Sequence, residues 1–147
     1  MQELTTEEAE AFIDDLAQMQ VPVLLFSGGE PLLRPDLFHL GTYAASKGIR
    51  PVLSTNGTLI TPEIAVKLRE ATFQYVGVSI DGAQETHDRF RARPGAYEMA
   101  WQGIRNARAA GLRAGVRFTV MQANVDDLPA VLATSVEEGI ERFCMYH

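Results

Sequence analysis

The sequence predicts an α/β protein built on parallel strands. Three observations carry that expectation. Short apolar runs alternate with segments whose apolar residues recur at helical spacing, capping and stop residues bound those segments, and polar residues collect where the apolar runs end. Strands that alternate with helices pair in parallel through right-handed crossovers. Thr5-Thr6-Glu7-Glu8 has the spacing of a capping box, with Leu4 and Ala9 placed as a staple, ahead of Phe12, Ile13, Leu16 and Ala17. Val21 to Phe26 reads as a strand buried on both faces. Pro35-Asp36 opens a helix with Leu37, Phe38, Leu40 and Ala44 on its apolar face, stopped at Gly48. Pro51 to Thr55 is the next strand, closed by Asn56-Gly57, and Thr61-Pro62-Glu63 starts a helix carrying Ile64, Ala65 and Leu68. Tyr75 to Ile80 is a third strand, ended by Asp81-Gly82. A longer polar connection then leads to a helix with Tyr97, Trp101, Ile104 and Ala107, stopped at Gly111. Gly115 to Val120 gives a fourth strand, Leu128, Val131, Leu132 and Val136 a last helix ending at Gly139, and Arg142 to Tyr146 a fifth strand.

Two architectures fit this alternation, an open doubly wound sheet and part of a β/α barrel. A complete eight-fold barrel takes about 250 residues, more than the 147 here, which read as one domain over 1–147 with no linker. The 13 Lys and Arg against 19 Asp and Glu leave a net charge of −6, the wrong sign for a general nucleic-acid binder. One cysteine makes no internal disulfide. The first residues carry no signal-peptide pattern, and Val21 to Phe26 is far short of the roughly 20 apolar residues that span a bilayer. A cytoplasmic protein with no nucleic-acid or membrane partner is expected.

The polar clusters fall at strand ends: Ser27-Gly28-Gly29-Glu30, Ser54-Thr55-Asn56-Gly57, Ser79 with Asp81-Gly82, and Arg117 with Thr119. In parallel α/β folds these ends share one face, where ligands bind. Two glycines after a buried strand let the backbone approach a ligand, and the following Glu30 offers a carboxylate for an ammonium group. Neither phosphate-loop pattern occurs. Each residue also has a plainer reading. Ser54, Asn56 and Asp81 are good turn formers, His87 suits a loop support as well as a substrate contact, and Thr119 suits strand filler. Cys144 suits a buried small hydrophobe, and Tyr97 and Trp101 suit core positions.

Taken together, a strand closing in Gly28-Gly29-Glu30-Pro31, the next in Ser54-Thr55-Asn56-Gly57 and a third reading Val78-Ser79-Ile80-Asp81-Gly82 resemble the radical S-adenosylmethionine (SAM) superfamily. The branch with SPASM or twitch extensions, and within it the haem-biosynthesis members, is the most similar. Leu25 to Arg34, His87-Asp88-Arg89-Phe90-Arg91 and Cys144-Met145-Tyr146-His147 carry that finer likeness. The resemblance implies a partial six-unit β/α barrel, of which this chain holds the second to sixth units. It also implies reductive cleavage of SAM by a 4Fe-4S cluster, an external electron donor, and a small-molecule, tetrapyrrole or peptide substrate. Carried over residue by residue, Gly28, Gly29 and Glu30 would hold the SAM amino group, and Ser54 and Asn56 would lie beside the ribose or support that loop. Ser79 would meet the ribose and carboxylate, with Asp81 shaping the same strand end. Arg117 would face the SAM carboxylate or the substrate, and Met145 and Tyr146 would flank the adenine. His87, Arg89 and Arg91 would meet substrate, with the two arginines gripping propionates through bidentate forks. In this loop Ala92 stands where the family often has Gly.

The family's three cluster cysteines, spaced C-x-x-x-C-x-x-C, are absent here, and three thiolates are what hold a cubane with one iron open. The expectation is therefore a truncated core, lacking the first strand and cluster loop, that keeps a SAM-binding face without radical chemistry of its own. Its open sheet edge favours self-association. Two other readings stand beside it: a non-catalytic SAM-binding or interaction module, and an unrelated α/β enzyme binding a sugar phosphate.

Overall fold

The computed structural model describes residues 3–147. Helix α1 (Thr6–Gln18) opens on the expected capping box, with Glu8 N donating to Thr5 Oγ1 at 3.2 Å and Thr5 N to Glu8 Oε2 at 2.8 Å. The five strands are β1 (Val23–Phe26), β2 (Arg50–Thr55), β3 (Tyr75–Ser79), β4 (Arg113–Thr119) and β5 (Phe143–Tyr146). Between them lie α2 (Leu37–Ser46), α3 (Pro62–Glu70), α4 (Gln84–Phe90), α5 (Ala96–Ala109) and α6 (Leu128–Glu137). Val21 and Pro22 fall outside β1. Pro22 has no N–H to give, and its carbonyl accepts from Arg50 N at 3.1 Å. No helix among the described residues is long and apolar enough to cross a membrane.

All four strand pairs are parallel, and the sheet order is β1-β2-β3-β4-β5. A doubly wound sheet reverses its order at a switch point; this one never does. Right-handed crossovers in a consecutive order set every helix on the same side, so the sheet is a segment of barrel wall. Side-chain alternation divides it. Phe26, Leu53, Val76, Val78, Val116 and Phe118 face the helices and pack with Leu68, Trp101 and Ile104 into one core. A smaller core of Ala9, Ile13, Leu40, Ala44 and Ile49 seats α1 and α2 beside β1. The other face lines the barrel interior, and it leaves Val23 and Leu25 about 40% exposed.

Helix α4 was not foreseen; the polar connection contains it. Gln-Glu-Thr-His-Asp-Arg-Phe has no apolar period, so tertiary bonds hold it instead. Asp88 accepts from Gly95 N at 2.7 Å and Tyr97 N at 2.8 Å, capping α5 from outside that helix. Those bonds draw the Asp88 carboxyl below the usual range.

Candidate functional site

The β1 loop leaves its backbone bare. Gly28 adopts φ +138°, and a Cβ at Gly28 or Gly29 would meet nothing within 4 Å. The Gly28 and Gly29 carbonyls accept no hydrogen bond among the described residues. Glu30 is less free than its sequence position suggests. Its Oε1 accepts from Thr55 Oγ1 (2.7 Å) and Leu32 N (3.1 Å), and its Oε2 accepts from Asn56 N (2.8 Å). A carboxylate has about four acceptor places, so one remains for a ligand ammonium. Glu30 thus ties the β1 loop to the end of β2. Thr55, 3% exposed, completes the tie by accepting from Gly57 N at 3.0 Å. Asn56 Oδ1 accepts from Thr58 N and Oγ1, which makes it a turn former and leaves its amide NH2 without a partner.

On the interior face, Ser79 pairs in register with Arg117, and Arg117 with Cys144. Ser54 lies one pleat below Ser79, opposite Gly77. Gly77 is there for close approach: a Cβ would come within 2.6 Å of Arg117 Cδ, so the arginine stem runs across the glycine. The Arg117 guanidinium then sits 4.6 Å over the Tyr146 ring and has no carboxylate partner among the described residues. Tyr146 and Arg117 therefore share the interior. Met145 is opposite Phe118, on the helix-facing side, so the two residues read as an adenine-flanking pair point to opposite faces.

The His87-to-Arg91 stretch packs against the Asp81 loop at the end of β3. His87 is 1% exposed, so burial bars it from touching a substrate. Its Nδ1 accepts from Asp81 N at 3.0 Å, which puts the ring proton on Nε2 in a neutral imidazole. Arg91 Nε donates to Asp81 Oδ2 at 2.6 Å, while Arg89 is exposed. Asp81 is thus held by His87 and Arg91, and a residue that sequence reading passed over holds its carbonyl. Asn124, 2% exposed, donates to Asp81 O (2.8 Å) and Thr119 O (2.9 Å) and accepts from Met121 N (2.7 Å). It clamps the ends of β3 and β4 together; its only sequence signal is an Asn between a strand and a helix.

Burial, with Arg91 adding to it, lowers the His87 pKa below 6.5, against the opposing pull of Asp81 and Asp88. The unfolded chain then binds the proton more readily than the folded one. The contribution of neutral His87 is complete above pH 6.5 and shrinks as pH falls from there toward the lowered folded value. Urea melts at pH 7.5 and 5.5 are expected to show a loss on acidification that His87→Gln reduces; an equal loss in both proteins would refute this.

The family model described as "Radical SAM superfamily" matches residues 1–133. The chain belongs to the radical SAM superfamily. Among curated relatives, the Fe-coproporphyrin III synthase of Methanosarcina barkeri is 52% identical over 99% of this chain and 36% of its own length. The pre-heme d1 synthase of Dinoroseobacter shibae is 42% identical, again over 99% of this chain and 36% of the relative. The chain spans just over a third of the length of these relatives. A solved structure titled "Native anSMEcpe with bound AdoMet and Cp18Cys peptide" shares the fold, with a TM-score of 0.82 and 20% identity over 99% of this chain and 44% of that one. The family match does not favour an unrelated sugar-phosphate enzyme or a non-catalytic module.

Radical SAM chemistry implies two groups, SAM and a 4Fe-4S cluster. The chemistry of the rim suits the first: its free carbonyls and spare carboxylate place would accept from an ammonium, and its unpaired guanidinium would donate to a carboxylate. The described residues do not fit the second. Cys144 is the only cysteine, and no three His, Cys, Asp or Glu among the described residues are grouped to hold a metal.

Proposed function

We propose that this chain is the SAM-holding wall of a radical SAM enzyme core, the second to sixth units of its barrel, in a protein that modifies a tetrapyrrole or peptide substrate. The supporting observation is that Gly28, Gly29 and Glu30 at the β1 end and Ser79 and Arg117 on β3 and β4 share one rim. In this reading the Gly28 and Gly29 carbonyls and the spare Glu30 acceptor bind the methionyl ammonium. Arg117, held flat on Tyr146, meets the methionyl carboxylate, and Ser79 and the Asn56 amide reach the ribose hydroxyls. Asp81 acts through its loop. SAM, when bound in such enzymes, supplies a carbon radical that abstracts substrate hydrogen. The described residues do not provide the ligands of the cluster. Excluding water from the rim would strengthen each of these polar contacts. The tetrapyrrole side of the proposal draws on the two synthase relatives and the peptide side on the solved neighbour's title. A cytoplasmic setting belongs to the same reading and suits the free thiol of Cys144.

Calorimetry of the chain with SAM, and separately with ribose 5-phosphate, tests it. Saturable heat is expected with SAM alone. Arg117→Ala should weaken it about tenfold or more, as losing a hydrogen bond to a charged group does. Equal heats for the two ligands, or an unaffected Arg117→Ala, would refute the assignment.

A further inference from the structure

Backbone pairing between β3 and β4 runs out where the site residues sit. Ser79 is opposite Arg117, and the outermost backbone bond between the two strands is Ile80 N donating to Arg117 O at 3.0 Å. Two residues beyond Ser79 and two beyond Arg117, the carbonyls are met by a single side chain instead. Asn124 Nδ2 donates to Asp81 O at 2.8 Å and to Thr119 O at 2.9 Å. The amide thus adds one rung past the last that the backbone makes. Two residues of strand span about 7 Å, so this rung sits at the same offset from both Ser79 and Arg117.

Three features separate this amide from an ordinary loop former. Asn124 is buried and both of its N–H groups are spent, so it has no donor left for a ligand. Its bond within its own loop is a separate one, from Met121 N to Oδ1 at 2.7 Å. The bond to Asp81 O, by contrast, joins positions 43 residues apart. From the same loop, Asp127 Oδ2 adds a longer tie by accepting from Ala83 N at 3.2 Å. The rim is therefore stitched twice, by Glu30 between β1 and β2 and by Asn124 between β3 and β4. Glu30 keeps an acceptor place for a ligand. Asn124 can act on a ligand only through the residues it holds.

We infer that Asn124 is a positioning residue for SAM: its amide fixes Arg117 relative to Ser79 and so sets how strongly the site discriminates the methionyl carboxylate. The inference rests on the proposed function, which gives Arg117 that carboxylate and Ser79 the ribose. A ligand that bridges two strands gains both contacts only when their spacing is settled before it arrives. Polar contacts of this kind need the productive geometry to within about 0.5 Å. A β4 end free to splay from β3 would keep the nucleoside and the ammonium and lose the carboxylate.

Calorimetry with SAM and with its decarboxylated form, which keeps the ammonium and the nucleoside, tests this. The parent chain is expected to prefer SAM by about tenfold or more, as a hydrogen bond between charged groups gives. Asn124→Asp is the informative variant, because its carboxylate still accepts from Met121 N but offers no N–H to Asp81 O or Thr119 O. It is expected to cut the preference to about threefold or less, with the decarboxylated form bound within about threefold of the parent. Ile49→Val, a trim in the core beside α1 and α2, should lower the melting temperature and leave the preference whole. An Asn124→Asp chain that keeps the preference, or that weakens both ligands equally, assigns Asn124 to folding alone and overturns the inference. Should that variant fail to fold, the Asn124 side-chain NH2 resonances of the parent chain decide. They are expected to shift more with SAM than with the decarboxylated form, and equal shifts overturn the inference. A parent chain that binds both ligands alike, or neither, refutes the Arg117 assignment itself and the inference with it.

Discussion

Glu30→Gln is expected to destabilise the fold by about 3 kcal/mol and to weaken SAM binding more than tenfold. Three donors converge on the Glu30 carboxylate, two on Oε1 and one on Oε2. An amide keeps one oxygen and turns the other into a donor, so either Asn56 N or the Thr55–Leu32 pair faces an N–H instead of an acceptor. A hydrogen bond to a charged group contributes roughly 1.5–3 kcal/mol, and a donor left unsatisfied costs a similar amount. Charge alone does not explain the effect, because the three donors belong to two different strand ends and hold them together. A urea melt reads the stability loss as a lower midpoint at constant slope, and calorimetry reads the affinity. A variant as stable as the parent chain would show that the carboxylate is not a strut between β1 and β2.

Gly103→Ala is expected to be the most damaging single methyl in the chain. Gly103, on α5, lies against the loop after β2, and a Cβ there would overlap the Gly57 carbonyl oxygen and come within 3.1 Å of its carbon. The obstacle is backbone, which cannot rotate aside like a side chain. Alanine gains about 1 kcal/mol over glycine in a helix interior, while forcing an extra carbon into a filled site costs about 3 kcal/mol. The clash wins by about 2 kcal/mol, or about 4–8 °C in Tm for a domain of this size. Because Asn56 precedes Gly57 and donates to Glu30, the displaced loop should also weaken SAM binding. Thermal unfolding checks the first effect; an unchanged or raised Tm would mean that α5 can step outward freely.

The elements with their own periodicity were legible: five strands, the helices Thr6–Gln18 and Ala96–Ala109, and the capping box at Thr5. Strand-end polarity was legible too, because parallel pairing forces those ends onto one rim. What stayed hidden has physical causes. Helix α4 has no apolar face and is held by Asp88 and His87, whose partners Gly95, Tyr97 and Asp81 lie outside it. A motif of His, Asp and Arg suggests chemistry, yet two of its members serve the Asp81 loop and one caps α5. Asn124 is invisible in sequence because its three bonds are to backbone, which any residue supplies. The arginines of the interior face were missed for a different reason. Arg113, Arg117 and Arg142 look like scattered surface charges until strand register sets them on one face.

The unbroken strand order has a consequence for how the chain acquires its shape. Each strand bonds only to the one made before it and the one made after it, so sheet assembly never waits for a remote segment to be synthesised. Sequence separation between partners is one crossover throughout, which bounds the loop-closure entropy of each step and suits stepwise growth. A ribosome releasing this polypeptide could therefore lay down the wall plank by plank, each new helix sealing the plank behind it. The carboxylate of Glu30, whose partner Thr55 lies 25 residues further on, completes its bonds when the following plank emerges.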